Sequence, residues 1–253
     1  ATASSLVFAE TSGALGYENL TRLQWQQDLN ELDGNIRQYH INPFWFKNEA
    51  GYKRLYQEAE DYNAKAKTVD TNIVNGYFEK LVAYISDGHS YVVNKTARFG
   101  AFSYSLEWFG DDLYIISLEE GDRAFLGAKV LAFDGMKVKQ ANKRIAPFIP
   151  VVNASGFKFH SKDAYHFAGL MHVAGISKSM DSIELTLELT NGNRVKKQFW
   201  LRQNNNKTLD FQAPESVNTS LYRQQQDQYQ WFTYLEKEQA IYLRYALVIE
   251  KTP

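Results

Sequence analysis

The chain has no cysteine among its 253 residues. Disulfides, cysteine-ligated zinc and a cysteine nucleophile are therefore excluded. This usage fits an extracytoplasmic protein, periplasmic or secreted, and that is the expected location. Methionine occurs only 3 times and proline 5 times. No apolar run approaches the roughly 20 residues that a membrane-spanning helix needs, so no membrane span is predicted. Neither charge is in excess: 28 Lys and Arg stand against 29 Asp and Glu, for a formal net charge of -1. A basic footprint for nucleic acid is thus missing, and no nucleic-acid partner is expected. The densest basic run, Arg194-Val195-Lys196-Lys197, is broken by valine and reads as the wet face of a strand. The opening Ala1-Thr2-Ala3-Ser4-Ser5 carries no basic-then-apolar signal and reads as a mature or trimmed end.

Aromatic residues, by contrast, are plentiful: 16 Tyr, 16 Phe and 5 Trp. They supply core area and are also common where proteins hold peptides. Asn-x-Ser/Thr sequons begin at Asn19, Asn94, Asn153, Asn206 and Asn218.

Periodicity divides the chain. Thr21 and Gln24 have capping-box spacing. Trp25, Leu29, Leu32, Ile36 and Tyr39 then form one helical stripe, which Asn42-Pro43 stops. A second stripe runs through Tyr52, Leu55, Tyr56, Ala59 and Ala66. A third follows Asp70, a good N-cap, with Ile73, Val74, Tyr77, Leu81, Tyr84 and Ile85. Gly88 is placed to end it.

Beyond Gly88 the period becomes two. Tyr104, Leu106 and Trp108 alternate with other residues, Leu113 to Ile116 is strand-like, and Ala128 to Phe133 runs into the turn dipeptide Asp134-Gly135. Short helices are predicted over 139–146, stopped before Pro147, and over 163–173. Ile183, Leu185, Leu187 and Leu189 alternate, Asn191-Gly192 turns the chain, and Val195 to Leu201 returns. Residues 203–230 are polar and read as a linker. Ala240 to Ile249 reads as a buried strand, of the kind a sheet covered on both faces contains. It should either join the earlier sheet or be covered by further chain, and we expect the latter. The fold class is therefore α+β: a helical domain (1–95), a mixed α/β module (96–205), and a linker with the first strand of a further α/β domain (206–253).

Few residues suggest chemistry by themselves. His160, His166 and His172 recur every six positions, whereas a helical zinc pair needs i,i+4 spacing. His40 precedes a Pro-aromatic cluster and reads as a packing residue. Asp111-Asp112 and Glu119-Glu120 read as solvated turns. No metal or other cofactor is predicted. His89 follows Gly88, and from the residues alone it reads as a favourable cation at a helix C-terminus.

The run Leu81-Val82-Ala83-Tyr84-Ile85-Ser86-Asp87-Gly88-His89-Ser90 changes that reading. It resembles the helix end of the tail-specific (C-terminal-processing) serine peptidases, where Asp-Gly-His-Ser/Thr closes a helical front. The order before it is similar too: Trp25, Asp28 and Leu29 on a helix, then His40, Pro43 and Phe44. Asp112 to Ile115 and Leu126 to Gly135 resemble the family's PDZ-type module, although Gly127-Ala128 stands where Gly-Asp is usual. The resemblance spans roughly residues 20–250.

The resemblance implies an enzyme that binds and cleaves polypeptides, at or near C-termini, with a serine nucleophile. In the tricorn-like branch a histidine at the helix end, here His89, is the catalytic base, and a serine and a glutamate complete the set. The nucleophile lies in a later segment to which nothing in this chain corresponds, so the 253 residues alone are expected to be inactive. The PDZ-like module implies peptide binding on the strand at Tyr104, Ser105 and Leu106. That stretch lacks the glycine-rich turn that captures a carboxylate, so an ordinary edge strand stands beside the binding reading. A non-catalytic peptide-binding module of an extracytoplasmic protein is the alternative for the whole chain. A structural or sugar-stacking domain is a weaker third. Oligomeric state and substrate identity are not encoded in any of these patterns.

Overall fold

The structure, a computed structural model, describes residues 20–92, 100–202, 207–210, 220–225 and 227–246. The chain forms two compact units, divided after residue 211, and each is described by itself.

The first unit begins with three helices. α1 (Arg22–Tyr39) starts with the capping box of Thr21 and Gln24 fully formed. α2 (Glu49–Lys65) is capped by Asn48, whose side chain accepts from the Gly51 N–H, and α3 (Thr71–Tyr84) by Asp70. Their inward stripes bury Leu29, Ile36, Tyr52, Ala59, Leu81, Val82 and Ile85 together. Trp25 is also buried and meets Phe78 edge-on. Tyr39 and Ala66 fall off their stripes: Tyr39 is exposed, and Ala66 caps α2 from outside. Gly51 is required by close approach, because a Cβ there would lie 1.9 Å from the Tyr84 hydroxyl oxygen.

α3 does not end at Gly88 as its sequence suggests. Ile85 caps it, and Ser86, buried and at φ 60°, takes the left-handed position that reverses the chain. Glycine is the usual occupant of such a position. The Ser86 hydroxyl donates to the Tyr84 carbonyl, a local bond of the sort that helps short polar side chains hold it.

An antiparallel sheet follows. β1 (Tyr104–Phe109) and β2 (Asp112–Glu119) form a hairpin, β3 (Lys129–Phe133) pairs β2, and short β4 (Met136–Lys137) folds back on β3. The turn between β3 and β4 is Asp134-Gly135, with φ of 45° and 86°, the mirror-image geometry that this dipeptide favours. β5 (Ser182–Glu188) pairs β3, and β6 (Arg194–Trp200) pairs β5 residue for residue from Ser182↔Trp200 to Glu188↔Arg194. The strand order is β1-β2-β3-β5-β6. Within the stretch read as linker, Thr208–Asp210 is also a strand, β7, paired with β2.

Helices cover one face of this sheet. α4 (Val138–Ile145), α5 (Ala154–Ala164) and α6 (Ala168–Val173) deliver Ala141, Ile145, Ala164, Ala168 and Met171 into one core with Leu113, Ile115, Phe133, Ile183, Leu185 and Phe199. α3 lies against α6 and the short 146–148 turn, so helices and sheet belong to one unit. The single helix expected over 163–173 is in fact α5 and α6 with a break at 165–167. α5 has poor helix formers (Ser, Gly, Phe and His), and tertiary bonds to the β1–β2 hairpin hold it: the Trp108 indole N–H to Ser161, Lys162 to Glu107, and Lys158 to Gly110 and Asp111.

The second unit contains a hairpin of β8 (Gln230–Leu235) and β9 (Ala240–Tyr245). Ala240–Tyr245 forms a strand, as its sequence suggests. Ile241, Leu243 and Tyr245 are exposed, together with Phe232 and Tyr234 opposite. Among the described residues the strand pairs with β8 and not with the larger sheet. Residues 247–249 lie outside the described residues.

Candidate functional site

The site is assembled where α1 and α3 end. His40 caps α1, donating its backbone N–H to Ile36. Its Nδ1 accepts the Asn42 N–H at 3.2 Å, so the ring proton is on Nε2. That nitrogen lies 3.5 Å from Asp87 Oδ2. The reversal at Ser86 brings Asp87 there and leads directly to His89. Without it the two helix ends would not share a carboxylate.

Asp87 is the hub. Its Oδ1 accepts the His89 backbone N–H at 3.1 Å, and its Oδ2 accepts the Ser90 hydroxyl at 2.9 Å. The His89 ring nitrogen Nδ1 is 3.6 Å from Oδ1. Burial alone would raise the Asp87 pKa. The backbone bond from His89, the Ser90 hydroxyl and the nearby imidazoles of His40 and His89 outweigh it and hold the carboxyl below its ordinary value. The His89 side chain is 96% exposed, so the ring projects outward from a carboxylate that is itself fixed at three points. Such a ring can take a proton from an incoming hydroxyl, with the carboxylate stabilising the resulting cation. Ser90 is committed to Asp87.

An apolar rim adjoins the cluster, and the sequence reading had missed it. Ile41, Trp45 (73% exposed), Phe46 and Tyr91 flank His40 and His89 along the chain and lie open to solvent. Its signal was the run Phe44-Trp45-Phe46 after a proline, off any helical period. Phe44 alone turns inward, 5.3 Å from the Tyr52 ring. The loop is held down by Lys47, 5.0 Å from the Tyr84 ring centroid, and by the Tyr84 hydroxyl donating to Asn48. Desolvation lowers the Lys47 pKa.

The expected peptide-binding residues lie elsewhere in the unit. Tyr104 and Leu106 point into the core and are buried. The Tyr104 hydroxyl donates to the Tyr165 carbonyl, and burial raises its pKa. Ser105 is half-buried and sits at a bulge in the β1–β2 register. Any contribution of this strand to binding must come from its backbone, since β1 is an edge of the sheet.

His160 packs on Phe159, His172 Nδ1 faces the Ser177 carbonyl, and His166 Nδ1 bonds to the Tyr104 carbonyl. Among the described residues no three acidic or histidine side chains gather as metal ligands. No described helix is long and apolar enough to cross a membrane.

By sequence, no family profile and no curated relative matches the chain. Similarity is found in solved structures of CPAF, a chlamydial serine protease. A serine-to-alanine variant of CPAF aligns with a TM-score of 0.50 at 13% identity, over 73% of this chain and 35% of that one. Mature CPAF complexed with lactacystin aligns with a TM-score of 0.50 at 14% identity, over 78% of this chain and 40% of that one. The chain thus spans at most two fifths of the length of these neighbours, and over the aligned part its fold is similar to theirs.

Proposed function

We propose that this chain is the front part of a serine peptidase of the tail-specific, tricorn-like type, acting on polypeptides at or near their C-termini outside the cytoplasm. One observation carries the proposal: Asp87 holds the His89 backbone, the Ser90 hydroxyl and the His40 imidazole, and leaves the His89 ring free to face a reactant. In this reading His89 is the general base, and Asp87 and His40 position it. The apolar rim at Ile41, Trp45 and Phe46 receives side chains of an unfolded substrate. The nucleophilic serine and the oxyanion donors come from outside the 253 residues, so this chain alone does not hydrolyse peptides. The helical part (1–95), a PDZ-like part (96–205) and the remainder (206–253) are its proposed divisions.

The test is His89→Ala in the native-length protein, assayed on an unstructured polypeptide. A loss of roughly three or more orders of magnitude in kcat/KM is expected. Full activity would overturn the assignment.

The alternative, a non-catalytic peptide-binding module, is favoured by the open edge of β1. It predicts calorimetric binding of peptides by the 253-residue chain and no effect of His89→Ala on that binding.

A further inference from the structure

The corner where β4 runs into α4 is basic and unpaired. Elsewhere in the sheet module the basic side chains are matched. Lys129 of β3, Lys158 and Lys162 of α5, and Arg194, Lys196 and Lys197 of β6 each meet an acid at 3.2 Å or less. Arg123 lies 4.0 Å from Glu120. Between Tyr104 and Trp200 that leaves Lys137, Lys139, Lys143, Arg144 and Lys178, which form no ion pair among the described residues. The stretches 93–99 and 203–206 contain no Asp or Glu. All five cationic residues are exposed. They also share one place. Lys139, Lys143 and Arg144 lie on α4, and Lys137 is its N-cap. The Lys178 N–H donates to Asp134 Oδ2 at 2.7 Å, in the turn that leads into β4. Asp134 Oδ1 accepts the Glu184 N–H at 2.8 Å, so backbone amides occupy both oxygens of the acid nearest to Lys137 in sequence.

Helix electrostatics do not account for the cluster. Lys143 and Arg144 fall in the last turn of α4, where a cation meets the negative end of the helix dipole. Lys137 and Lys139 sit at the opposite end, where the dipole repels them. α4 has no acid in its first turn and no side-chain cap, so nothing local offsets that repulsion. A stability rule broken without local compensation is a mark of function. The apolar residues Val138, Ala141 and Ile145 pack into the core, so α4 has no apolar face to lay into a bilayer. β4 and α4 carry no aromatic residue on which a base could stack. Instead a shallow groove lies between the cations, lined by Met136, Gln140, Lys143 and Arg144. A thioether, an amide and two cations together match a polypeptide that carries acidic side chains.

We propose that the β4–α4 corner is an exosite that recruits acidic stretches of polypeptide. Lys143 and Arg144 hold the acids at the groove, and Lys137, Lys139 and Lys178 surround it. α4 is about 12 Å long, so about four extended residues cover it. Each exposed charge pair is weak by itself, so binding depends on several at once and falls as salt rises. The proposal names a substrate class for the polypeptide-processing role argued above and rests on that reading. It adds no residue to the chemistry at His89.

The experiment uses the 253-residue chain and two fluorescein-labelled, C-terminally amidated peptides, one with a central run of six glutamates and one with six glutamines. Affinities are read by anisotropy in about 50 mM and about 300 mM NaCl. At the lower salt the glutamate peptide should bind at least about 10-fold more tightly than the glutamine peptide, and at the higher salt it should weaken at least about 5-fold. Lys143→Gln with Arg144→Gln should weaken the glutamate peptide at least about 5-fold. Arg54→Gln with Lys67→Gln removes the same charge from exposed positions on and just after α2 and should leave binding unchanged. The proposal fails if the wild-type chain binds both peptides equally, or if the two double variants bind the glutamate peptide alike. Tighter binding to phosphatidylcholine vesicles with about 30% phosphatidylglycerol, or to a short thymidine strand, would overturn it in favour of a lipid or nucleic-acid surface. The wild-type comparison needs no variant, so it decides the matter even if a variant does not fold. A glutamate preference in a protein whose His89→Ala variant is fully active leaves the exosite standing and removes only the peptidase assignment. No preference beside an inactive His89→Ala variant removes only the exosite.

Discussion

His40 and Asp87 meet through Nε2 and Oδ2 at 3.5 Å, which joins the end of the first helix to the turn after the third. They are 47 positions apart in sequence, and the contact exists only because the helices pack. Replacing Asp87 by Asn removes the charge that His40, His89 and Ser90 share. Its carboxyl is partly exposed, so the loss of stability should be small, about 1 kcal/mol. Its folded pKa is depressed, so its contribution is present above the ordinary carboxylate range and lost as pH falls through the folded value. Urea denaturation of wild type and Asp87→Asn at pH 7 and pH 3 checks this: the difference at pH 7 should shrink in acid.

Two helical glycines should respond in opposite directions to alanine. Gly34 on α1 has nothing near an added Cβ, so Gly34→Ala should stabilise by roughly 0.5–1 kcal/mol. Gly76 on α3 faces Val173, and a Cβ would lie 2.5 Å from that side chain. Gly76→Ala should therefore destabilise by roughly 1–3 kcal/mol despite better helix propensity. Thermal melts of the two variants give the signs. Stabilisation by both would mean that α3 does not lie against α6.

Leu29 is buried between the helices. Leu29→Ala should cost roughly 2–5 kcal/mol. The readout is the urea midpoint, and an unchanged midpoint would place that face of α1 on the outside.

His166 has a lowered folded pKa, from burial first and Arg202 second. A depressed histidine is easier to protonate in the unfolded chain, so stability falls as pH drops through the unfolded value near 6.5. His166→Gln should flatten the dependence of stability on pH between about 7.5 and 5.5. A slope unchanged by the substitution would assign it to other groups.

Asn153 combines two properties. It opens a sequon, and its side-chain oxygen accepts the Gly156 N–H as the cap of α5. Asn153→Ala should cost about 1 kcal/mol, seen as a lower melting temperature.

What was legible in the sequence was local. The Thr21–Gln24 box, the Asp70 cap, the 134–135 turn and the 183–201 hairpin depend on neighbours in the chain, and all formed as read. What escaped depends on distant partners. α5 has weak intrinsic propensity and is held by β1, while β7 exists only because β2 offers it a ladder. The helix end was assigned to Gly88 because glycine is the easier occupant of a left-handed position, yet Ser86 holds it. Apolar content makes 240–249 read as a strand to be covered by a further layer, and within this chain Ile241, Leu243 and Tyr245 stand exposed on it. For the site, the residue types at 87–90 were visible. The bond from His40 was not, because nothing in the period of α1 marks where its last residue will point.

The far edge of the large sheet has its own consequence. β6 carries Arg194, Lys196 and Lys197, and each is tied to an acid: Glu188, Glu184 and Asp122. Long charged chains along an outer strand discourage another strand from docking there, since pairing would strip them of water. Substitutions that neutralise β6 should therefore surface as clumping during expression before any loss of fold is measurable.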